Sequence, residues 1–222
     1  MSTPRWRVER ARGSAAHVLG QPLPDGRSMR IVSITAPAVV LGSTQALDVV
    51  DASRAATAGV DVVKRRGGGG AVFVGPGELV WADVFVRASD SLWSADVSVA
   101  FHWLGAEWTA ALADLGVDAE WHDGALCTTT WSRLVCFSGM GPGEVSVDGR
   151  KVVGICQRRT RAGSLFMCAA LLRWDPAALV DLLALTEQDR VRATAELTPV
   201  AQGLDVTEDA LVAAFQSRLE AS

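Results

Sequence analysis

The sequence has no tyrosine, three histidines and four cysteines among its 222 residues. The cysteines include no CxxC pair and stand at Cys127, Cys136, Cys156 and Cys168. Because no group of His, Cys and Asp has the spacing of a zinc site, we expect no metal, and the sparse cysteines argue against a disulfide framework. No run approaches the roughly 18–20 apolar residues of a membrane helix, and no apolar segment follows the N-terminal arginines as in a signal peptide. We therefore expect a cytoplasmic protein that does not bind membranes and whose thiols are reduced.

The chain also lacks an excess of charge of either sign, with a net charge of −4 and a pI of about 5.4. Nucleic-acid-binding proteins usually carry a basic surface, so this balance argues against that class. Hydrophobic residues make up 49% of the chain, whereas disordered chains are poor in them. A chain of this length buries a core without disulfides. Since no fixed-period repeat and no linker is visible, we expect one layered domain.

The hydrophobic pattern alternates between strand and helix periods, which predicts an α+β fold with a mixed or antiparallel sheet layered with helices. Strands are predicted at 30–42 with a break at Pro37, at 78–86, in a hairpin over 144–157, and at 164–174. Helices are predicted at 44–58, 97–115, 176–184, 187–196 and 206–219. Residues 1–28 are predicted to form an arm or a short leading helix, 29–185 the main domain, and 186–222 a short helical extension.

The glycine run Gly67–Gly70 is the feature with the clearest chemical meaning. It follows Arg65 and Arg66 and precedes Ala71 and Val72. Consecutive glycines lose much conformational entropy on folding, which is reasonable where the backbone approaches a ligand or takes a positive φ. Two guanidinium groups beside exposed N–H groups suit a phosphate or a carboxylate. The alternative is a flexible surface loop.

The hairpin at 144–157 carries a second candidate, Lys151. Asp148-Gly149 is a type I′ turn signal, which pairs Ser146 with Lys151 and Val147 with Arg150. A lysine on an apolar strand face is costly unless it is paired or extends to solvent. It is therefore either functional or a charged residue that protects an edge strand.

Cys136 and Asp83 are two further candidates, each with a structural alternative. Cys136 lies where a predicted strand runs into a Gly/Pro loop. A reactive thiolate requires a nearby cation, and Lys151 is available for this, but a buried structural thiol has the same sequence pattern. Asp83 shares a strand face with Trp81, where it either binds a ribose or forms a buried ion pair with Arg66.

Two motifs in register resemble the lipoate–protein ligase and octanoyltransferase family, whose fold is shared with biotin protein ligases. The family's Arg-Arg-x-Gly-Gly-Gly-Ala-Val loop is matched here by Arg65, Arg66, Gly68, Gly69, Gly70, Ala71 and Val72. Its Gly-Arg-Lys-x-x-Gly-Ser-Ala-Gln hairpin is matched by Gly149, Arg150, Lys151, Gly154 and Gln157. The resemblance covers about 30–175 and implies a biotin/lipoate-ligase-like catalytic domain over 29–185.

This resemblance implies a substrate, an acceptor and residue roles. The glycine loop would frame a tunnel for lipoate or octanoate, Lys151 would meet the acyl carbonyl or carboxylate, and Gly154, Ile155 and Cys156 would line the pocket. The acceptor would be a lysine on a lipoyl-carrier domain of a 2-oxo-acid dehydrogenase or glycine cleavage protein. The stretch after Pro176 is short for the extra domain of a full ligase, so a second accessory chain is an expected partner.

The chain departs from the family pattern at positions around the pocket. Gly67 replaces a serine, Ile155 and Cys156 replace a Ser-Ala pair, and relatives have histidines where Val74 and Met167 or Cys168 stand. The first expectation is an ATP- and Mg²⁺-dependent ligase that forms an acyl-adenylate. The second is an octanoyltransferase with Cys136 as nucleophile, since Cys136-Phe137 lies 15 residues before Lys151, as a Cys-Phe segment does in that branch. The third is a non-catalytic module that binds the acyl group or the carrier.

Overall fold

The computed structural model describes residues 6–22 and 26–222, and within them the chain forms ten strands and six α-helices. The strands are β1 (Arg7–Gly13), β2 (Ser28–Ile34), β3 (Ala38–Leu41), β4 (Asp61–Lys64), β5 (Val72–Val74), β6 (Leu79–Arg87), β7 (Glu120–Trp121), β8 (Val145–Val147), β9 (Arg150–Thr160) and β10 (Gly163–Leu171). The helices are α1 (Ala15–Gly20), α2 (Ala52–Thr57), α3 (His102–Asp114), α4 (Pro176–Val180), α5 (Glu187–Leu197) and α6 (Glu208–Ala221).

In the described part of the chain these strands form a large and a small sheet. The seven-stranded sheet has the order β1-β2-β6-β10-β9-β8-β7, and the three-stranded sheet has the order β4-β3-β5. The β1–β2 and β3–β4 pairs are parallel, and the other pairs are antiparallel. The expected α+β class with a mixed sheet layered with helices is confirmed.

The central strands follow from their composition. Leu79–Val86 of β6 are all buried, as expected for a strand that is apolar on both faces. The β8–β9 turn has positive φ at Asp148 (51°) and Gly149 (72°), which a type I′ turn requires. The predicted pairs Ser146–Lys151 and Val147–Arg150 are both present.

Several predicted boundaries differ from the structure for local reasons. The Asp51 side chain accepts hydrogen bonds from the backbone N–H groups of Ser53 and Arg54, so the α-helix of the predicted 44–58 segment begins only at Ala52, after a short 3-10 turn. The helix predicted from residue 97 begins at His102. It ends before Gly116, whose φ is +77°.

The two ends of the described chain pack on the large sheet and its helices. Residues 7–13 pair in parallel with β2, so the segment expected to be an arm or a short leading helix contains both a strand and a helix. At the other end, Phe215 of α6 stacks on Trp108 of α3 with ring centroids 3.7 Å apart. The division into 1–28, 29–185 and 186–222 stays a prediction. Over the described ranges, no helix combines the length and the apolar character needed to cross a membrane.

Candidate active site

The glycine loop is held against two other chain segments. A Cβ on Gly42 would lie 1.9 Å from the carbonyl oxygen of Gly69, and a Cβ on Gly70 would lie 2.6 Å from the backbone nitrogen of Cys136. Gly69 also has a φ of +94°, which favours glycine. Ala71 donates to the Leu134 carbonyl over 2.7 Å, and Cys136 donates to the Ala71 carbonyl over 3.0 Å. The loop is therefore a packed wall that fixes Cys136.

Arg65 holds the glycine loop from inside the protein. Its side chain is buried and donates to the carbonyls of Val40 (3.1 Å), Gly68 (2.6 Å) and Gly70 (2.9 Å). These bonds occupy both terminal nitrogens, so Arg65 acts on the loop backbone. Arg66 is half-buried and donates to the Gln21 carbonyl over 3.2 Å.

Lys151 lies beneath the Cys136 segment and is only 2% exposed. Its Nζ forms an ion pair with Glu144 Oε2 at 2.6 Å. It also donates to the carbonyls of Cys136 (3.1 Å) and Gly139 (3.0 Å), and it lies 5.1 Å from the centroid of the Phe137 ring. All three ammonium protons therefore have acceptors, and the lysine connects the hairpin to the cysteine segment.

Glu144 is a site residue that the sequence reasoning did not identify. Besides Lys151, its carboxylate accepts from the backbone N–H of Gly141 (2.6 Å) and of Ile155 (3.1 Å). The signal for it was present, because a buried lysine requires a carboxylate and Glu144 stands at the start of the same hairpin. Glu144 thus sets the position of both Lys151 and the Gly/Pro loop.

Cys136 stands between two cavities. The inner cavity lies between the sheets and is apolar, with Val72, Val74, Trp81, Gly154, Met167 and Ala169 among its lining residues. The outer cleft is lined by residues that include Gly68–Gly70, Glu144, Lys151 and Ile155. Cys136 and Cys156 line both. The inner cavity is narrow, with a volume of about 40 Å³. The outer cleft has a volume of about 600 Å³.

The remaining thiols near the site are held neutral by their surroundings. Burial raises the pKa of Cys156 to about 11, although the neighbouring Arg65 guanidinium acts in the opposite direction. Burial also raises the pKa of Cys168 far above its usual value. Because the thiolate is the nucleophilic form of cysteine, neither residue is suited to attack an acyl group.

Asp83 lies on β6 of the large sheet, on the face that carries Trp81, and is 7% exposed. It accepts a hydrogen bond of 2.8 Å from the indole N–H of Trp81. Burial raises the pKa of Asp83 to about 6, while the Trp81 hydrogen bond and the charges of Arg30 and Arg66 act to lower it. The carboxylate therefore lies beside the inner cavity, opposite Met167 of β10, and its direct partner is Trp81.

The departures from the family pattern fit together in space. A Cβ on Gly67 would lie 2.5 Å from Met167 Cε and 2.9 Å from Cys156 Sγ. The space that a serine side chain would need at position 67 is thus occupied by the larger residues at 156 and 167. Val74 and Cys168 line the same inner cavity, so the expected histidine positions contribute apolar surface here.

Metal ligation has little support among the side chains of residues 6–22 and 26–222. No group of three or more His, Cys, Asp and Glu side chains there could hold a metal ion. The carboxylate that lines the outer cleft, Glu144, is engaged with Lys151.

Together, the fixed glycine loop, the buried hairpin lysine and the apolar cavity between two sheets define a lipoyl-ligase-like catalytic domain. A sequence model of the family described as the lipoyl protein ligase A/B catalytic domain matches residues 18–220. The chain belongs to this family. The resemblance inferred from the two motifs is confirmed.

Individual relatives include both a transferase and ligases. Octanoyltransferase LipM of Carboxydothermus hydrogenoformans is 30% identical over 170 residues, which are 75% of this chain and 62% of that protein. The chain therefore spans less than two thirds of this relative's length. A bipartite lipoate protein ligase from Thermoplasma acidophilum has a similar structure, with a TM-score of 0.78 at 18% identity. The match covers 100% of this chain and 84% of that chain, and the structural study of that ligase includes its E2 lipoyl domain. Lipoate-protein ligase A bound with ATP has a TM-score of 0.71 at 18% identity, with coverages of 99% and 85%. At these identities the likeness of the structures concerns the fold alone.

Proposed function

We propose that this protein transfers an octanoyl or lipoyl-type acyl group from a thioester donor to a lysine of a lipoyl-carrier domain, with Cys136 as the nucleophile. The position of Cys136 carries this proposal. Cys136 lines both the apolar inner cavity, which suits an acyl chain, and the outer cleft, which is open to a donor and an acceptor. The likeness to octanoyltransferase LipM supports the same activity.

The reaction would proceed in two balanced steps. In the first, the Cys136 sulfur attacks the donor carbonyl, the new thioester forms on Cys136, and the donor leaves as a free thiol that takes the cysteine proton. In the second, the amine of the acceptor lysine attacks this thioester, an amide forms, and Cys136 is released as a thiol. A covalent intermediate of this kind divides one difficult transfer into two easier steps.

Lys151 would act on this reaction by positioning and by its charge. Its Nζ holds the Cys136 carbonyl at 3.1 Å, which limits the movement of the nucleophile. A cation so close to the reacting centre also stabilises negative charge that develops on the acyl oxygen. Glu144 fixes the ammonium from the other side.

The likeness to octanoyltransferase LipM and the position of Cys136 between the two cavities favour a transferase over the ATP-dependent ligase that the sequence first led us to expect. The buried cations next to the cleft, Lys151 and Arg65, are engaged with Glu144 and with loop carbonyls. Arg133 also lines the outer cleft, where it is a further cation that a phosphate group could meet. The ligase stays the second candidate because the outer cleft is large, at about 600 Å³.

Intact-mass spectrometry of a purified lipoyl-carrier domain tests the proposal. One reaction contains octanoyl-carrier thioester without ATP, and the other contains octanoate or lipoate with ATP and Mg²⁺. We expect the acyl mass on the domain in the first reaction only. Without the acceptor, we expect a hydroxylamine-sensitive octanoyl adduct on Cys136.

Two cysteine variants provide the comparison. Cys136→Ala is expected to abolish both the adduct and the transfer. Cys127→Ala is the matched control, because Cys127 is an exposed free thiol, and it is expected to behave as wild type. An acyl mass that appears only with ATP and persists in Cys136→Ala would contradict the proposal and establish a ligase. Binding of the acyl group without transfer in either reaction would indicate a non-catalytic module.

A further inference from the structure

The inner cavity follows one row of residues across three neighbouring strands of the large sheet. Ala169 of β10 stands opposite Gly154 of β9 on one side and opposite Trp81 of β6 on the other. All three residues line the inner cavity. The Phe137 ring, which also lines the cavity, lies against Gly154, since a Cβ on Gly154 would come within 3.2 Å of Phe137 Cζ. Ala169 has only a methyl group, so the floor is low over β10. It rises at the indole of Trp81.

The surroundings of this row make it a narrow channel. Met167 and Cys156 form the next row on the same face, and Val40 and Val72 of the small sheet cover it. The entrance lies at Cys136 and Cys156, which also line the outer cleft. A chain that enters at Cys156 on β9 therefore runs beside the Phe137 ring, crosses β10 and meets Trp81 on β6.

The indole of Trp81 is fixed in place. It is 5% exposed, and its N–H donates to Asp83 Oδ1 over 2.8 Å. Asp83 is itself buried on the same face of the sheet, opposite Met167 of β10, with the positive charges of Arg30 and Arg66 acting on it. A buried aromatic side chain with both its packing and its polar group satisfied does not turn aside without losing that hydrogen bond.

We infer that Trp81 is the end wall of the acyl site and limits the bound acyl chain to about eight carbons, with Asp83 as the residue that positions the indole. This inference rests on the proposed function. The row crosses two interstrand spacings, which amount to about 10 Å. An extended chain advances about 1.2 Å per bond. Because the cavity is narrow, the chain lies in single file, and about eight bonds fill the distance.

The chemistry of the lining narrows the substrate class further. Apart from Arg65, whose terminal nitrogens bind loop carbonyls, the lining residues are apolar or small thiols. A hydroxyl or carboxylate at the far end of the chain would lose its hydration without gaining a partner. The site therefore takes unbranched medium-length acyl groups with an apolar end.

A competition between donors tests the end wall. The protein receives an equimolar mixture of hexanoyl-, octanoyl-, decanoyl- and dodecanoyl-carrier thioesters, and the acyl masses on a lipoyl-carrier domain are read. Trp81→Ala is expected to raise the ratio of decanoyl to octanoyl product at least about tenfold, because small size differences in an apolar pocket change selection by this order. Trp93→Ala is the matched control. Its indole lies over the Arg159 guanidinium, 4.9 Å from it, and the ratio is expected to stay unchanged.

Three further variants keep the test decisive if Trp81→Ala does not fold. Ala169→Val raises the floor before the end wall and is expected to shift the products from octanoyl towards hexanoyl. Asp83→Asn retains an acceptor for the indole and is expected to keep the wild-type ratio. Asp83→Leu removes the acceptor and is expected to broaden the products towards decanoyl. A change of less than fivefold in the folded Trp81, Ala169 and Asp83→Leu variants would overturn the inference.

Binding of free fatty acids separates this inference from the proposed function. Displacement of a fluorescent fatty acid by saturated acids of six to fourteen carbons needs no transfer. If wild type transfers nothing but prefers octanoate, and Trp81→Ala prefers longer acids, the end wall stands although the transferase proposal fails. If wild type binds none of the acids, both are overturned.

Discussion

At the scale of single residues, the site depends on a charge that is buried only because it is fully paired. Lys151 and Glu144 are 2% and 9% exposed in their side chains. Taking two such charges out of water costs several kcal/mol each, which their attraction and additional hydrogen bonds must offset. Here the ammonium has two carbonyl acceptors and the carboxylate has two backbone donors. The pair therefore couples the fold of the hairpin to the position of Cys136, whose carbonyl Lys151 binds.

A double-variant cycle separates the structural from the chemical role of this pair. Lys151→Met leaves the Glu144 carboxylate buried without its cation, so we expect it to lower the free energy of unfolding by about 3–5 kcal/mol. Lys151→Met with Glu144→Gln removes both charges and should recover most of this loss, while acyl transfer stays absent. Urea denaturation and the ATP-free transfer assay measure the two effects. A double variant no more stable than Lys151→Met would show that the pairing is not the source of the loss.

Asp83 is a residue whose ionisation opposes folding at neutral pH, because burial disfavours the charged carboxylate. The unfolded chain releases this proton near 3.8, whereas burial raises the folded pKa to about 6. Between these two pH values the folded protein binds more protons at Asp83 than the unfolded chain does. The free energy of unfolding therefore falls as the pH rises from about 4 to about 6. Since one pH unit corresponds to about 1.4 kcal/mol, the cost at neutral pH is about 3 kcal/mol.

Asp83→Asn should remove this cost while keeping the hydrogen bond to Trp81. We expect the variant to be more stable than wild type at pH 7.5, by up to about 3 kcal/mol, and the difference to vanish towards pH 4. Urea denaturation at a series of pH values measures it. Asp96→Asn is the comparison, because hydrogen bonds from Ser98 lower the pKa of Asp96, and it should show no gain. Equal stability of Asp83→Asn and wild type at both ends of the series would contradict this account.

At the scale of elements, the glycine loop is a wall built by close backbone approach. Gly70 lies so near the Cys136 segment that a Cβ would come within 2.6 Å of backbone atoms of Val135 and Cys136. Backbone atoms cannot move aside as a flexible side chain can. At Gly68 nothing lies within 4 Å of a Cβ. The two glycines of one loop therefore meet very different constraints.

Gly70→Ala is expected to displace Cys136 and to lower the free energy of unfolding by about 1–3 kcal/mol. Gly68→Ala is the matched variant and should unfold as wild type does. Thermal unfolding gives the stability, and the rate of Cys136 alkylation reports the displacement of the thiol. If both variants unfolded alike and Cys136 reacted at the wild-type rate in both, the loop would not be the wall described.

Sequence patterns predicted the elements that local chemistry determines. The Asp148-Gly149 turn fixes the register of its hairpin through positive φ angles. The motif around Lys151 was recognised because it, too, lies within one short stretch of the sequence. The contact between the glycine loop and Cys136 joins residues far apart in the chain, and the motifs suggested only that both face one site. The row Gly154–Ala169–Trp81 depends on strand order, which periodicity does not determine. The Glu144 partner was within reach of the sequence, because it stands in the same hairpin as Lys151. The pairing of 7–13 with β2 was missed because that segment is polar and lies at an edge.

At the scale of the whole molecule, the C-terminal helix completes the core on one face of the large sheet. Leu211, Phe215 and Leu219 of α6 share a hydrophobic cluster with residues of α3 and β6. Phe215 is fully buried and stacks on Trp108. Arg218 also pairs with Asp114 at the end of α3. Deletion of 206–222 would expose this cluster, so the helix is expected to be required for folding.

Phe215→Ala tests whether the helix and the sheet fold as one unit. Removing a fully buried aromatic ring costs about 3–5 kcal/mol through lost burial and the cavity left behind. We expect this loss in a single cooperative urea transition, with the thiol reactivity of Cys136 rising at the same urea concentration as the loss of helix. Ser217→Ala changes an exposed position of the same helix and should leave the transition unchanged. If Phe215→Ala instead melted α6 alone at low urea, with Cys136 still protected until a second transition, α6 would be a separable extension. The acyl site between the sheets would then be stable without it.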